Sequence, residues 1–147
     1  MKTLIGALVV VSIVVGGFFA FSLLSPQTAQ APATDDTIPT SNEYIEVTSP
    51  APGTAITSPV SIAGSALGTY YFEASFPIDI LDANGAVVGQ GHAEAQGDWM
   101  TEELIPYIAS VEFTAPAPGT SGIIRLKNDN PSGDPERDLY FDLPITF

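Results

Sequence analysis

The chain has 147 residues, no cysteine, and 17 acidic against four cationic side chains, for a formal net charge of −13. That length fits one folded domain of about 100 to 150 residues plus accessory segments. The missing cysteine excludes disulfides, thiolate metal sites, a cysteine nucleophile and a lipidated-cysteine anchor, and so negative a field repels nucleic acid and anionic lipid.

The first element is TLIGALVVVSIVVGGFFAFSLL, residues 3–24, which carries no charged side chain. A helix of this length covers about 33 Å at about 1.5 Å per residue, enough for a hydrocarbon core of about 30 Å. The sequence therefore predicts a membrane-spanning helix within residues 1–24. A cleavable signal peptide has a shorter apolar stretch of about 7 to 15 residues. Pro32 also disfavours cutting at the nearest small-x-small site, Ala29 to Ala31, so an uncleaved anchor is expected. Lys2 and the terminal amine carry the flanking positive charge, which keeps the N-terminus cytoplasmic and places everything after Leu24 outside the membrane. Ser12, Gly16 and Ala20 form a small-residue stripe, a candidate face for a helix-mediated homodimer.

Residues 25–42, SPQTAQAPATDDTIPTSN, hold no aromatic side chain and are rich in Pro, Ala and Thr. They read as a flexible linker with an end-to-end distance of about 20 to 25 Å. A folded domain is expected over 43–147, where 15 acidic residues face only Arg125, Lys127 and Arg137. Such a surface suits solubility outside the cell.

Within that domain apolar and polar residues alternate with period two, and no stretch has a helical period. Strands are expected in YIEV (44–47), PVSIAGSA (59–66), YYFEASFPIDILD (70–82), the residues following Asn84-Gly85, YIASVEF (107–113), GIIRLKN (122–128) and LYFDLPITF (139–147). In the third, Phe72, Ala74, Phe76, Ile78 and Ile80 are expected to face the core while Tyr71, Glu73, Ser75 and Asp79 face water. Pro77, lacking an amide donor, is expected at a bulge or an edge. Asn84-Gly85 predicts a type I′ hairpin turn joining the third and fourth strands. In the last strand Leu139, Phe141, Leu143, Ile145 and Phe147 are expected inside. About seven strands separated by turn signals predict an all-β, immunoglobulin-like β-sandwich.

IEVTSPAPGT (45–54) and VEFTAPAPGT (111–120) match in type at ten positions, 66 residues apart, but the segments after them, AITSPVSIAG and SGIIRLKNDN, have little in common. A duplicated domain would carry the similarity onward. One local corner used twice is expected instead, with prolines ending strand pairing while the chain crosses between sheets and glycine turning it back. In a seven-strand sandwich both corners lie at one end. The opposite end then receives the linker and carries the connection between the sixth and seventh strands.

IEVTSPAPGTAITSPVSIAGSA, then YYFEASFPIDILDANGAVV, Trp99, and GIIRLKNDNPSGDPERDLYFDLPITF resemble the immunoglobulin-like domain associated with bacterial spore germination proteins. The SP-x-PG-T opening and the FEASFP segment carry most of the likeness, which runs over residues 44–147. The resemblance implies a β-sandwich on envelope proteins, with no catalytic residues to transfer.

Few groups point to chemistry. His92 is the one histidine, and it shares a strand face with Glu94 as a two-ligand fragment, short of the three or four ligands a metal needs. No G-x-S-x-G elbow exists for a serine nucleophile. In NDNPSGDPERD, Asn128, Asn130, Ser132, Asp134 and Glu136 fall near the positions of a calcium loop, although Leu139 stands where a bidentate glutamate belongs. Tyr71 and Tyr140 on the wet face are a candidate platform for a glycan or peptide, and Trp99 is expected in the core. No cofactor is expected, calcium being the candidate exception. The expected role is non-enzymatic: a membrane-tethered module that recognises an envelope protein or wall polymer, or helps build a surface assembly. Calcium-dependent adhesion and a wall-glycan hydrolase using paired acids are the alternatives.

Overall fold

The computed structural model describes residues 38–147; the apolar segment 3–24, its small-residue stripe and most of the linker lie outside the described residues. Among the described residues no helix is long and apolar enough to cross a membrane.

Period-two patterning produces seven strands: β1 (Ile45–Ser49), β2 (Val60–Leu67), β3 (Ser75–Asp82), β4 (Val87–Ala95), β5 (Leu104–Val111), β6 (Ser121–Lys127) and β7 (Tyr140–Thr146). They pair antiparallel in the order β1-β2-β5-β4-β3-β6-β7. In β6, Gly122, Ile124 and Leu126 point inward while Ile123, Arg125 and Lys127 stay half-exposed. Phe141, Leu143, Ile145 and Phe147 are buried, as the alternation in the last strand requires. At the centre, the Phe76 ring meets Tyr70, Tyr71 and Tyr107 edge-on, with centroids 5.3, 5.2 and 5.0 Å away. This geometry suits the ring quadrupoles.

The fold refines the expected sandwich in one respect. β1-β2-β5 and β4-β3-β6-β7 form the two layers, but a seam of hydrogen bonds between Ala93–Ala95 and Tyr107–Ala109 joins them into one sheet. Ala93 and Ala109 pair at this seam. On the other side Ala55 bridges Thr146, so the first corner reaches β7 and the sheet becomes a nearly closed, barrel-like immunoglobulin fold.

The repeated words form the same turn twice, but the expected crossing between layers occurs only at the second: β1 and β2 are paired neighbours, whereas β5 and β6 are separated by β4 and β3. In each, the threonine amide bonds the alanine carbonyl three residues back, Thr54 to Ala51 and Thr120 to Ala117, both at 3.2 Å. Each places its glycine at positive φ, 74° for Gly53 and 79° for Gly119, where a side chain would be strained. Gly53 N then donates to Pro144 O in β7 and Gly119 N to Phe147 O just after it, so both corners dock at one end of the domain.

At the opposite end the chain enters through a turn in which Asn42 Oδ1 accepts from Tyr44 N and Ile45 N, at 2.8 and 3.0 Å. Residues before that turn run back along β1, with Val47 N donating to Thr40 O at 2.8 Å and Ser41 bridging Glu46. They cover part of an edge that would otherwise be open to pairing.

Three local expectations are corrected. The strand expected over 70–82 starts only at Ser75, because Gly68–Tyr70 forms a 3-10 turn and Phe72 and Ser75 exchange two backbone hydrogen bonds, at 3.0 and 3.1 Å. Between them Glu73 and Ala74 have φ of 50° and 63°, the positive pair of a type I′ turn. The turn reverses the phase, so Tyr71 is only 4% exposed and Phe72 is 41% exposed. At Asn84-Gly85, by contrast, only the glycine has positive φ. There Asp82 closes a three-residue loop, its carboxylate accepting from Asn84 N and Ala86 N at 2.8 Å each. The β3–β4 hairpin itself forms. Finally, β3 is a central strand, and Pro77 sits just outside its ladder with β6, which begins at Ile78, so the missing amide forfeits no bond on that side.

Candidate recognition surface

Three connections gather at the end away from the two corners: residues 68–74 between β2 and β3, 96–103 between β4 and β5, and 128–139 between β6 and β7. The first two meet backbone to backbone. Gly68 N donates to Glu103 O at 3.2 Å, and any side chain at Gly68 would collide with the carbonyl oxygens of Thr101 and Trp99. The third is tied in by Asp129 N donating to Tyr70 O at 2.9 Å.

These contacts shape two adjoining grooves. One, of about 560 Å³, runs between Phe72 and the 128–139 connection, past Asp129, Glu136 and Leu139. The other, of about 370 Å³, is lined by Gly68, Trp99, Met100, Thr101 and Glu102. Thr69 and Tyr71 line both. Phe72 and Met100, 41% and 76% exposed, stand at their edges, while Trp99 packs partly against the core rather than within it. Burial pushes the Tyr71 phenol up to about 12, so it remains a neutral donor, bonded to Ile105 O at 2.7 Å.

The residues with calcium-loop spacing all lie in the 128–139 connection, where they hold the loop to itself. Asn128 Oδ1 accepts from Leu139 N at 2.8 Å, and its Nδ2 donates to Arg137 O at 3.0 Å. Asn130 Nδ2 donates to Asp134 O and to Asp138 Oδ1, both at 2.8 Å, while its oxygen accepts from Ser132 Oγ. Asp134 Oδ1 accepts from Glu136 N at 3.1 Å, capping a short 3-10 turn. Among the described residues no group of three or more His, Cys, Asp or Glu side chains is placed to hold a metal ion.

Residues 44–134, more than half of the chain, match Gmad2, the immunoglobulin-like domain of bacterial spore germination. The chain belongs to that family. No curated protein and no solved structure matches it.

The Gmad2 match ends within the 128–139 connection, yet β7 beyond it pairs along the whole of β6, from Ser121–Thr146 to Lys127–Tyr140. Tyr140, on this strand, is 58% exposed and lies under the Arg125 guanidinium, 4.6 Å from the ring centroid. Arg125 in turn makes a two-pronged bond to Asp142, at 2.7 Å through each nitrogen. The expected pairing of Tyr71 with Tyr140 on one wet face therefore does not form. Tyr71 floors the grooves from inside the core, and Tyr140 belongs to the outer face of the four-stranded layer. His92 and Glu94 line a separate shallow groove with Ser61, Ala63, Ile108 and Ser110, Glu94 exposed and His92 likewise on the outer face of its strand.

Phe72 and Met100 were not among the site residues the sequence suggested. Met100 lies in a loop without pattern. Phe72 stands in an unbroken alternation whose one irregularity is a tight turn built from Glu and Ala, residues that do not announce positive φ.

Proposed function

We propose that this Gmad2 chain is a membrane-tethered, extracytoplasmic module that recognises a component of the bacterial envelope without catalysing a reaction, and that it does so through the loop end. The observation that carries this reading is the Glu73-Ala74 turn. Two consecutive non-glycine residues at positive φ are energetically unfavourable, and such strain persists where surrounding contacts enforce it and collects at binding sites. Here it projects Phe72 into solvent at the edge of the groove beside the 128–139 connection. The uncharged segment 3–24 behind Lys2 supports the tether, and the linker to residue 42 supports a domain standing clear of the headgroups.

The test uses the full chain with a C-terminal tag. Protease added to intact cells is expected to remove the tag; protection until lysis would overturn the topology. With cross-linking in the envelope, wild type is expected to trap a specific component that Phe72→Ser with Met100→Ser loses by about tenfold. Equal trapping by the double variant would overturn the role of the loop end.

A further inference from the structure

The chemistry around the grooves narrows the class of partner, an inference that rests on the recognition role proposed above. Phe72 and Met100 offer exposed apolar surface on either side of the floor made by Thr69 and Tyr71. Methionine adapts its shape to what it meets, and an aromatic face attracts a cation as well as an apolar group. The charges beside these anchors are mostly negative. Glu102 lines the groove with Met100, Asp129 and Glu136 line the groove with Phe72, and Glu73 occupies the turn next to Phe72. Arg137, the one cation lining either groove, stands exposed 3.8 Å from Asp134, and the three lining acids Glu102, Asp129 and Glu136 outnumber it. A bilayer of anionic lipid or an acidic polymer is repelled from such a surface, and a neutral sugar leaves its charges unused. A basic peptide with an apolar side chain satisfies both features at once.

We infer that the two grooves hold a basic polypeptide segment of a partner protein, with an aromatic or branched aliphatic side chain seated against Phe72 and Met100 and lysine or arginine side chains facing Glu73, Glu102, Asp129 and Glu136. The acidic excess sets the sign and the rate of encounter, while the apolar anchors hold the segment once it has docked.

The test uses the full chain in nanodiscs of zwitterionic phosphatidylcholine, probed with a labelled peptide of alternating lysine and tryptophan. Controls are the glutamate–tryptophan counterpart, oligolysine and a neutral chito-oligosaccharide. The lysine–tryptophan peptide is expected to bind best, and to weaken about tenfold between about 0.05 and about 0.5 M salt. Phe72→Ser with Met100→Ser, and separately Glu73→Gln with Glu102→Gln, are each expected to weaken it about tenfold. Glu112→Gln, which removes one exposed charge beyond the end of β5, is expected to leave binding unchanged. Thermal melting checks that each variant folds, and the tyrosine signal in near-ultraviolet circular dichroism is the added control for the glutamate pair. Equal binding of the glutamate peptide or the neutral sugar overturns the inference, as does binding indifferent to the four substitutions. If the double apolar variant loses its envelope component but the basic peptide does not bind, recognition by the loop end stands and the basic partner falls.

Discussion

Asp79 lies on the outer face of β3 with 7% of its surface exposed, and Lys127 Nζ and Gln90 Nε2 donate to its carboxylate at 2.6 and 2.8 Å. Burial opposes its charge, but the bonds from Lys127 and Gln90 and the positive charges of Lys127 and Arg125 outweigh that and hold the carboxyl below the usual carboxylate range. A group whose native pKa is depressed stabilises the fold above its unfolded value, near 3.9, and that contribution is lost as pH falls through the lower native value. Asp79→Asn is therefore expected to cost about 1 to 3 kcal/mol at about neutral pH, and the gap from wild type should narrow once acid has protonated the wild-type carboxylate. Urea unfolding at neutral and strongly acidic pH measures both. A gap that stays constant would show that packing, rather than charge, accounts for the loss. The alternation put Asp79 on the right face but expected it in water; it is buried instead, because Lys127 and Gln90, 48 and 11 residues away in the chain, close over it.

Turns decide the behaviour of whole elements here, and two of them can be tuned in opposite directions. Ala74 has φ of 63°, so Ala74→Gly removes a steric penalty at the β2–β3 tip and is expected to stabilise the domain by about 0.5 to 1 kcal/mol, even after the greater chain entropy of glycine. Gly119 has φ of 79° and open space around the position of an added side chain, so Gly119→Ala is expected to destabilise by about 1 kcal/mol through backbone strain alone. Thermal unfolding should show the two midpoints moving apart by several degrees, about 4 to 8 °C for each kcal/mol in a domain of this class. A lowered midpoint for Ala74→Gly would mean that the turn is not strained. The corner turns were legible because Pro and Gly advertise them twice in the same words, whereas Glu73-Ala74 was hidden in an apparently continuous strand.

For the molecule as a whole, the extent of the Gmad2 match and the extent of the folded sheet differ, and packing says which matters. β7 lies past residue 134 and brings Phe141, Leu143 and Ile145 into the core, followed by Phe147. At about 1.5 to 3 kcal/mol for each fully buried side chain, these four contribute about 6 to 12 kcal/mol, comparable to the whole stability of a typical domain of about 5 to 15 kcal/mol. A chain stopped after Asp134 is expected to show no cooperative thermal transition, and a sharp transition would place the core elsewhere. Removal of β7 also leaves both corners without the carbonyls of Pro144 and Phe147 on which they dock.

By itself the sequence determined that the domain is all-β, that Phe141, Leu143, Ile145 and Phe147 of the last strand face inward, that the repeated turn is a local device, and that the chain resembles the family to which it belongs. These stem from period-two alternation and from glycine and proline, whose signals are local in the chain. Only the tertiary structure decided that the layers join at Ala93–Ala95 into one curling sheet, that Tyr71 turns inward while Phe72 turns out, and that the 128–139 connection stands beside Trp99 and Met100's groove across Thr69 and Tyr71. Those outcomes depend on contacts between segments far apart in the chain, and the energy of such contacts leaves no periodic mark on either segment alone.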